Sequence, residues 1–119
     1  MTPDGLSQYH KEERPWGNFE QFTLNESSTV KIITVSEGEA FSLQTHAKRD
    51  EFWRVLQGSG TVTIGDATTS ATPGGNFFVP RNTTHRAMGG PGGLTLLEIA
   101  LGTFDEGDIR RLEDKYGRM

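Results

Sequence analysis

From residue 17 to residue 101 the chain sets short runs of β-branched, aromatic and aliphatic residues between clusters of glycine, proline, serine and acidic residues, with a break about every ten positions. Residues 29–35 carry Val30, Ile32, Ile33 and Val35 and are followed by the turn Ser36-Glu37-Gly38-Glu39. Residues 41–45, 52–57, 61–64, 76–79 and 85–88 read as further short strands, with Gly58-Ser59-Gly60 a hinge and Gly65-Asp66 and Thr72-Pro73-Gly74-Gly75 turns. Residues 94–101 form the most apolar segment, interrupted only by Thr95 and Glu98. The run Gly89-Gly90-Pro91-Gly92-Gly93 before it predicts a loop, because that composition disfavours regular structure. The period changes near the C-terminus. Ile109, Leu112 and Tyr116 share one helical stripe, and with Asp108 as N-cap and Gly117 as stop they predict a short C-terminal helix. The pattern as a whole predicts an all-β jelly-roll barrel over residues 14–119 with that helix at its end, preceded by a loose polar tail over residues 1–13.

A length of 119 residues fits a single domain. The absence of cysteine removes disulfides, thiolate metal sites and cysteine nucleophiles at once. A formal net charge of −4 argues against binding nucleic acid or an anionic membrane through bulk electrostatics. No run is long and apolar enough to span a bilayer and no signal core opens the chain, so a cytoplasmic location is expected.

Only three histidines are present. His10 stands alone in the polar tail and reads as a solvent-exposed residue. His46 and His85 belong to a wider pattern. Gln44 and His46 are two apart and share a face on a strand, and Glu51 returns to that face after a four-residue turn. Pro80 sets up a second turn and His85 opens the next strand. Gln44, His46, Glu51 and His85 could thus converge inside a barrel on one cation, with a donor set suited to zinc, manganese, iron or cobalt. Glutamine and glutamate on strands are more often simply solvated. The spacing Gly38-x5-Gln44-x-His46-x4-Glu51-x6-Gly58, followed by Gly74-x5-Pro80-x-Asn82-x2-His85, outweighs that reading. It resembles the two motifs of the cupin superfamily, with Gln44 in place of a common first histidine and Asn82 in place of a usual glycine.

A narrower resemblance covers nearly the whole chain from Arg14. The segments Arg14-Pro15-Trp16-Gly17-Asn18-Phe19-Glu20, Ser42-Leu43-Gln44-Thr45-His46, Arg49-Asp50-Glu51-Phe52-Trp53, Val79-Pro80 to His85-Arg86 and Leu97-Glu98 occur in order, and the ending runs from Gly107-Asp108-Ile109 to Tyr116-Gly117-Arg118. Together they resemble the type II mannose-6-phosphate isomerase domain, commonly the C-terminal part of a bifunctional isomerase and guanylyltransferase. The resemblance implies interconversion of mannose 6-phosphate and fructose 6-phosphate through a cis-enediol. It also implies one divalent ion, zinc foremost, with manganese, cobalt, iron, nickel and magnesium open. Arg49 aligns with the family's functional arginine and is the expected partner of the sugar phosphate, with Arg86 and Lys48 as further cations whose common fate is the solvated surface. Glu98, a carboxylate in an apolar strand, is the candidate for proton transfer, and Lys48 is a second. Trp53 shares the parity of Glu51 and is expected to point inward, as a sugar platform or as core. Small cupins commonly dimerise, so a homodimer is expected by analogy. The family commonly has histidines where this chain has Ala47, Lys48 and Phe52. Those departures set up the alternatives: a non-catalytic sugar- or sugar-phosphate-binding cupin, or an isomerase or epimerase for another sugar. A metal-dependent dioxygenase is disfavoured by Gln44. No Gly-rich nucleotide loop is present, so guanylyltransferase activity is not expected of these residues.

Overall fold

A computed structural model describes residues 5–103, 105, 107–114 and 116–117. The described residues form strands β1 (His10–Arg14), β2 (Gly17–Gln21), β3 (Ser28–Val35), β4 (Leu43–Thr45), β5 (Arg49–Ile64), β6 (Ala67–Ala71), β7 (Asn76–Val79), β8 (His85–Gly102) and β9 (Arg110–Glu113). Two strands are long and shared. The first half of β5 pairs with the second half of β8, flanked by β7 and β3, while the second half of β5 pairs with the first half of β8, flanked by β6 and β4, with β9 beyond β4. All these pairings are antiparallel, so one continuous ladder rolls over into two facing halves.

The roll happens at glycines. Gly58 holds φ at 89°, and a Cβ there would lie 2.1 Å from the Gly93 carbonyl oxygen. At Gly60 a Cβ would lie 2.1 Å from the Met88 carbonyl oxygen. Backbone therefore packs on backbone at the corner, which only glycine permits. The same requirement corrects the loop expected over residues 89–93. This run stays within β8, bending through the positive-φ residues Gly92 and Gly93 while the ladder continues on either side.

Alternation along the shared strands makes two apolar layers. Val35, Trp53, Val55, Val62, Ala87, Leu94 and Leu96 fill the space between the halves. Phe52 and Ile99 point to the other side of the first half and pack with Leu6, Tyr9, Phe22 and Phe78. The segment expected as a loose tail is thus a cover for the outer face. Leu6 is buried and His10–Arg14 pair with β2, while residues 1–4 lie outside the described residues. Glu20 on β2 accepts from Arg54 Nη1 at 3.0 Å and Nη2 at 2.8 Å, and from the Tyr9 hydroxyl at 2.6 Å, clamping the cover to β5. His10 is exposed, beside Glu12.

The expected C-terminal helix is also corrected. Arg110–Glu113 form β9 and pair with β4, and Lys115 lies outside the described residues. The backbone groups on the free side of β4 need partners, and a strand supplies them where a helix would not. Asp108 caps no helix. Its carboxylate accepts from the backbone N–H of Ala47 at 3.0 Å and of Lys48 at 2.8 Å, tying down the turn between β4 and β5.

Candidate metal centre

The strand register brings the chemistry together. Gln44 is the Cα partner of His85 across β4 and β8, so both side chains leave on the inner face. Glu51 and Trp53 are two apart on β5, and Trp53 pairs with Glu98 on β8. His46 follows β4 directly. One ligand atom from each of His46, Glu51 and His85 lies within 4.8 Å of the others, and all three residues are buried.

Both imidazoles are set for coordination. His46 Nδ1 lies 2.6 Å from the Asp108 carbonyl oxygen and His85 Nδ1 lies 3.0 Å from that of Thr83. A carbonyl can only accept, so Nδ1 carries the proton in each ring and Nε2 presents a lone pair. Those Nε2 atoms stand 3.5 Å and 3.7 Å from the two Glu51 oxygens. Burial lowers the pKa of His85 and keeps its ring neutral, the form a metal needs. Burial pushes Glu51 up, but the neighbouring His85, the Arg49 hydrogen bond, His46 and Glu98 outweigh it and hold the carboxyl below its usual range. Trp53 Nε1 donates to Glu51 Oε1 at 3.2 Å, fixing the carboxylate, and its ring meets His85 edge to face at 5.7 Å.

Gln44 is within reach of both rings, its Nε2 at 3.4 Å from His46 Nε2 and 3.5 Å from His85 Nε2. Ser42 Oγ donates to its Oε1 at 2.7 Å. A half-turn of the amide would present Oε1 to a cation and leave Nε2 to donate to the serine oxygen. Arg49 is only 6 % exposed. Its Nε donates to Glu51 Oε2 at 2.8 Å and its Nη2 to His46 Nε2 at 3.0 Å. A cation coordinated by His46 Nε2 would take the lone pair that Arg49 now uses. Two neutral imidazoles, a carboxylate and an adjacent amide fit a divalent first-row metal.

A cavity of about 250 Å³ opens over this cluster, lined by Gln44, His46, Arg49, Trp53 and Glu98 among others. A larger hollow of about 460 Å³ lies along residues 33–41 and shares Ile33 and Phe41 with it. The larger space holds none of the candidate metal donors, and Gln44 and His46 line the smaller one. Glu98 is 5 % exposed, and burial, followed by the charge and hydrogen bond of Glu51, raises its pKa to about 8. Its carboxyl is therefore largely protonated at neutral pH.

Other expected site residues go elsewhere. Lys48 is exposed on the β4–β5 turn and does not line the cavity. Arg86 follows His85 and faces away from it, its Nε donating to the Phe41 carbonyl oxygen at 3.0 Å and its Nη2 to that of Glu113 at 3.4 Å. The three departures from the resembled pattern also fall outside the cavity. Ala47 and Lys48 lie on the exposed turn, and Phe52 is buried on the opposite face from Glu51. Two cavity cations, Lys31 and Arg111, were not singled out from the sequence. Lys31 was detectable as a cation in phase with Ile33 and Val35. Arg111 comes into phase with Ile109 only once residues 110–113 are a strand.

A rolled antiparallel barrel with two imidazoles and a carboxylate gathered on its inner face is a cupin. A protein from Klebsiella pneumoniae subsp. pneumoniae, described as having a double-stranded beta-helix domain, shares the architecture with a TM-score of 0.65 at 17% identity, over 76% of this chain and 78% of that one. Within the cupins, the chain belongs to the family described as "Mannose-6-phosphate isomerase C-terminal", whose model matches residues 3–114. It is 39% identical over 113 residues to the xanthan biosynthesis protein XanB of Xanthomonas campestris pv. campestris, covering 92% of this chain and 24% of that protein. It is 35% identical to the mannose-1-phosphate guanylyltransferase ManC of Salmonella typhimurium, covering 100% of this chain and 26% of that protein. The chain thus spans about a quarter of the length of these curated relatives. Among the described residues no helix is long and apolar enough to cross a membrane.

Proposed function

We propose that this chain is a metal-dependent aldose–ketose isomerase that interconverts mannose 6-phosphate and fructose 6-phosphate through a cis-enediol. The observation that carries this reading is the convergence of His46 Nε2, His85 Nε2 and the Glu51 carboxylate beneath a cavity that also holds a second buried carboxyl, Glu98. Membership of the isomerase C-terminal family supports the choice of substrate.

His46, Glu51, His85 and Gln44 would hold one divalent ion, zinc foremost, which when bound supplies a Lewis acid for the carbonyl and hydroxyl oxygens of the sugar. Asp108 and Thr83 carbonyls and Trp53 keep the two rings and the carboxylate aimed. Glu98 sits on the cavity wall beside Trp53 and is the group placed to carry a proton between C1 and C2. Arg49 adds positive charge against the donors, where an enediolate would develop negative charge. The cavity is smaller than the roughly 300 Å³ at which drug-sized sites begin, and so suits a small metabolite. We place the protein in the cytoplasm and expect a homodimer, which sedimentation at micromolar concentration tests.

The deciding experiment is coupled turnover of mannose 6-phosphate by chelator-stripped protein and by protein reloaded with zinc, manganese, cobalt, iron, nickel or magnesium. Metal-dependent turnover, lost in His85→Ala and lowered at least about 100-fold in Glu98→Gln, is the expected result. A correctly loaded protein that binds the sugar phosphate without turning it over would replace the isomerase with a sugar-phosphate-binding cupin.

A further inference from the structure

Two cations line the cavity without a part in the chemistry above. Arg111 is the Cα partner of Gln44 across β9 and β4, so its side chain leaves on the inner face, beside Gln44 and His46. Its Nε is buried and has no hydrogen-bond partner among the described residues. A buried donor of a charged group is rarely left unmet, because the lost hydration is not returned. Lys31 is the Cα partner of Glu98 across β3 and β8, and it lines the same cavity. β3 and β9 end the two halves of the barrel, and Lys31 and Arg111 are half-buried where Glu51, Trp53 and His85 are fully buried. The two cations therefore form a rim on opposite walls above the metal donors.

We infer that Arg111 and Lys31 are the phosphate subsite of this cavity, which rests on the sugar-phosphate reading. The two arginines expected for this role from the sequence, Arg49 and Arg86, are engaged elsewhere. Arg49 donates to Glu51 and His46 at the floor, and Arg86 is turned outward onto the segment that precedes β4 and onto β9. A phosphate dianion is matched by a guanidinium whose Nε and a terminal nitrogen bond two of its oxygens together, with an ammonium opposite. A hexose bound by its phosphate at this rim would extend its other end toward the donors and Glu98. The placement sets specificity: the phosphate is the group recognised at the rim, and the sugar oxygens are recognised at the floor.

The test is calorimetric titration of the zinc-loaded protein with inorganic phosphate and with mannose 6-phosphate, alongside zinc affinity and thermal unfolding. Arg111→Gln is expected to weaken both ligands about 30-fold, and Lys31→Gln about 5-fold, with zinc affinity unchanged. Arg110→Gln removes the same charge from the exposed face of β9 and is expected to change neither ligand more than about twofold. Equal losses in Arg110→Gln and Arg111→Gln would reduce the effect to bulk charge and overturn the subsite. So would wild-type phosphate affinity in Arg111→Gln, or no phosphate binding by the wild type. If Arg111→Gln fails to fold, Lys31→Gln decides by the same criterion. Phosphate binding that depends on Arg111, without isomerase turnover, would uphold the subsite and reject the isomerase. Turnover with an unchanged KM in Arg111→Gln would do the reverse.

Discussion

Replacing Phe52 with histidine tests whether the departures from the family pattern bear on the site. The side chain of Phe52 is fully buried, 0 % exposed, among Leu6, Phe22 and Ile99, with the Phe22 ring 5.5 Å away. An imidazole there keeps part of the ring volume, so the packing loss is below the roughly 3–5 kcal/mol typical of Phe→Ala. Its nitrogens would face an apolar layer, and an unmet polar group adds about 1–3 kcal/mol. The sum is a loss of about 3 kcal/mol, equivalent to roughly 10 °C in Tm for a domain of this size. Urea unfolding should show a lower midpoint with an unchanged slope. Zinc affinity and turnover, measured well below the new Tm, should stay within about twofold of wild type, because position 52 faces away from Glu51. Unchanged stability together with a tenfold gain in turnover would refute this placement, since the histidine would then be working inside the cavity.

Glu20→Gln should destabilise the protein at pH 7. The Arg54 hydrogen bonds and then that of Tyr9 hold the carboxyl at about 2, below its ordinary 4.5. A depressed folded-state pKa contributes stability that is present above pH 4.5 and is lost as pH falls toward 2. Full linkage would be about 3 kcal/mol, and partial exposure of the pair reduces it to about 1–2 kcal/mol. The gap from wild type, followed by urea unfolding, should shrink between pH 5 and pH 3, and a gap that is constant with pH would contradict the assignment. Trp53→Phe removes the indole N–H from Glu51 and should lower zinc affinity about 10-fold in a chelator competition, whereas unchanged affinity would show that the carboxylate is held by other contacts.

The candidate donors were legible in the sequence because motif spacing follows from local rules. A two-residue step keeps Gln44 and His46 on one face, and the four-residue turn after His46 and the turn at Pro80 return Glu51 and His85 to it. Asn82, standing where the motif has glycine, adopts a φ of 62°, and its N–H bonds the His46 carbonyl oxygen at 2.6 Å. Less legible were segments whose state depends on a distant partner. The polar Ala67–Ala71 strand carries no apolar signal in the sequence, and it exists because the second half of β5 offers an edge. The apolar stripe at Ile109, Leu112 and Tyr116 matches a helix, yet the free edge of β4 recruits Arg110–Glu113 as a strand.

Alternation, glycine placement and ligand spacing along the chain point to an all-β barrel, its cupin character and four candidate metal donors, since each rests on relations within short motifs. The orientation of the cations was decided by the tertiary structure alone. Arg49, Arg86 and Arg111 are the same residue type, each near a metal donor in sequence or in register. One lies among the candidate donors, one faces outward, and one reaches the cavity with a nitrogen that meets no partner among the described residues. Strand register across three elements distinguishes them, and register is set by the barrel's closure, through contacts between residues far apart in the chain.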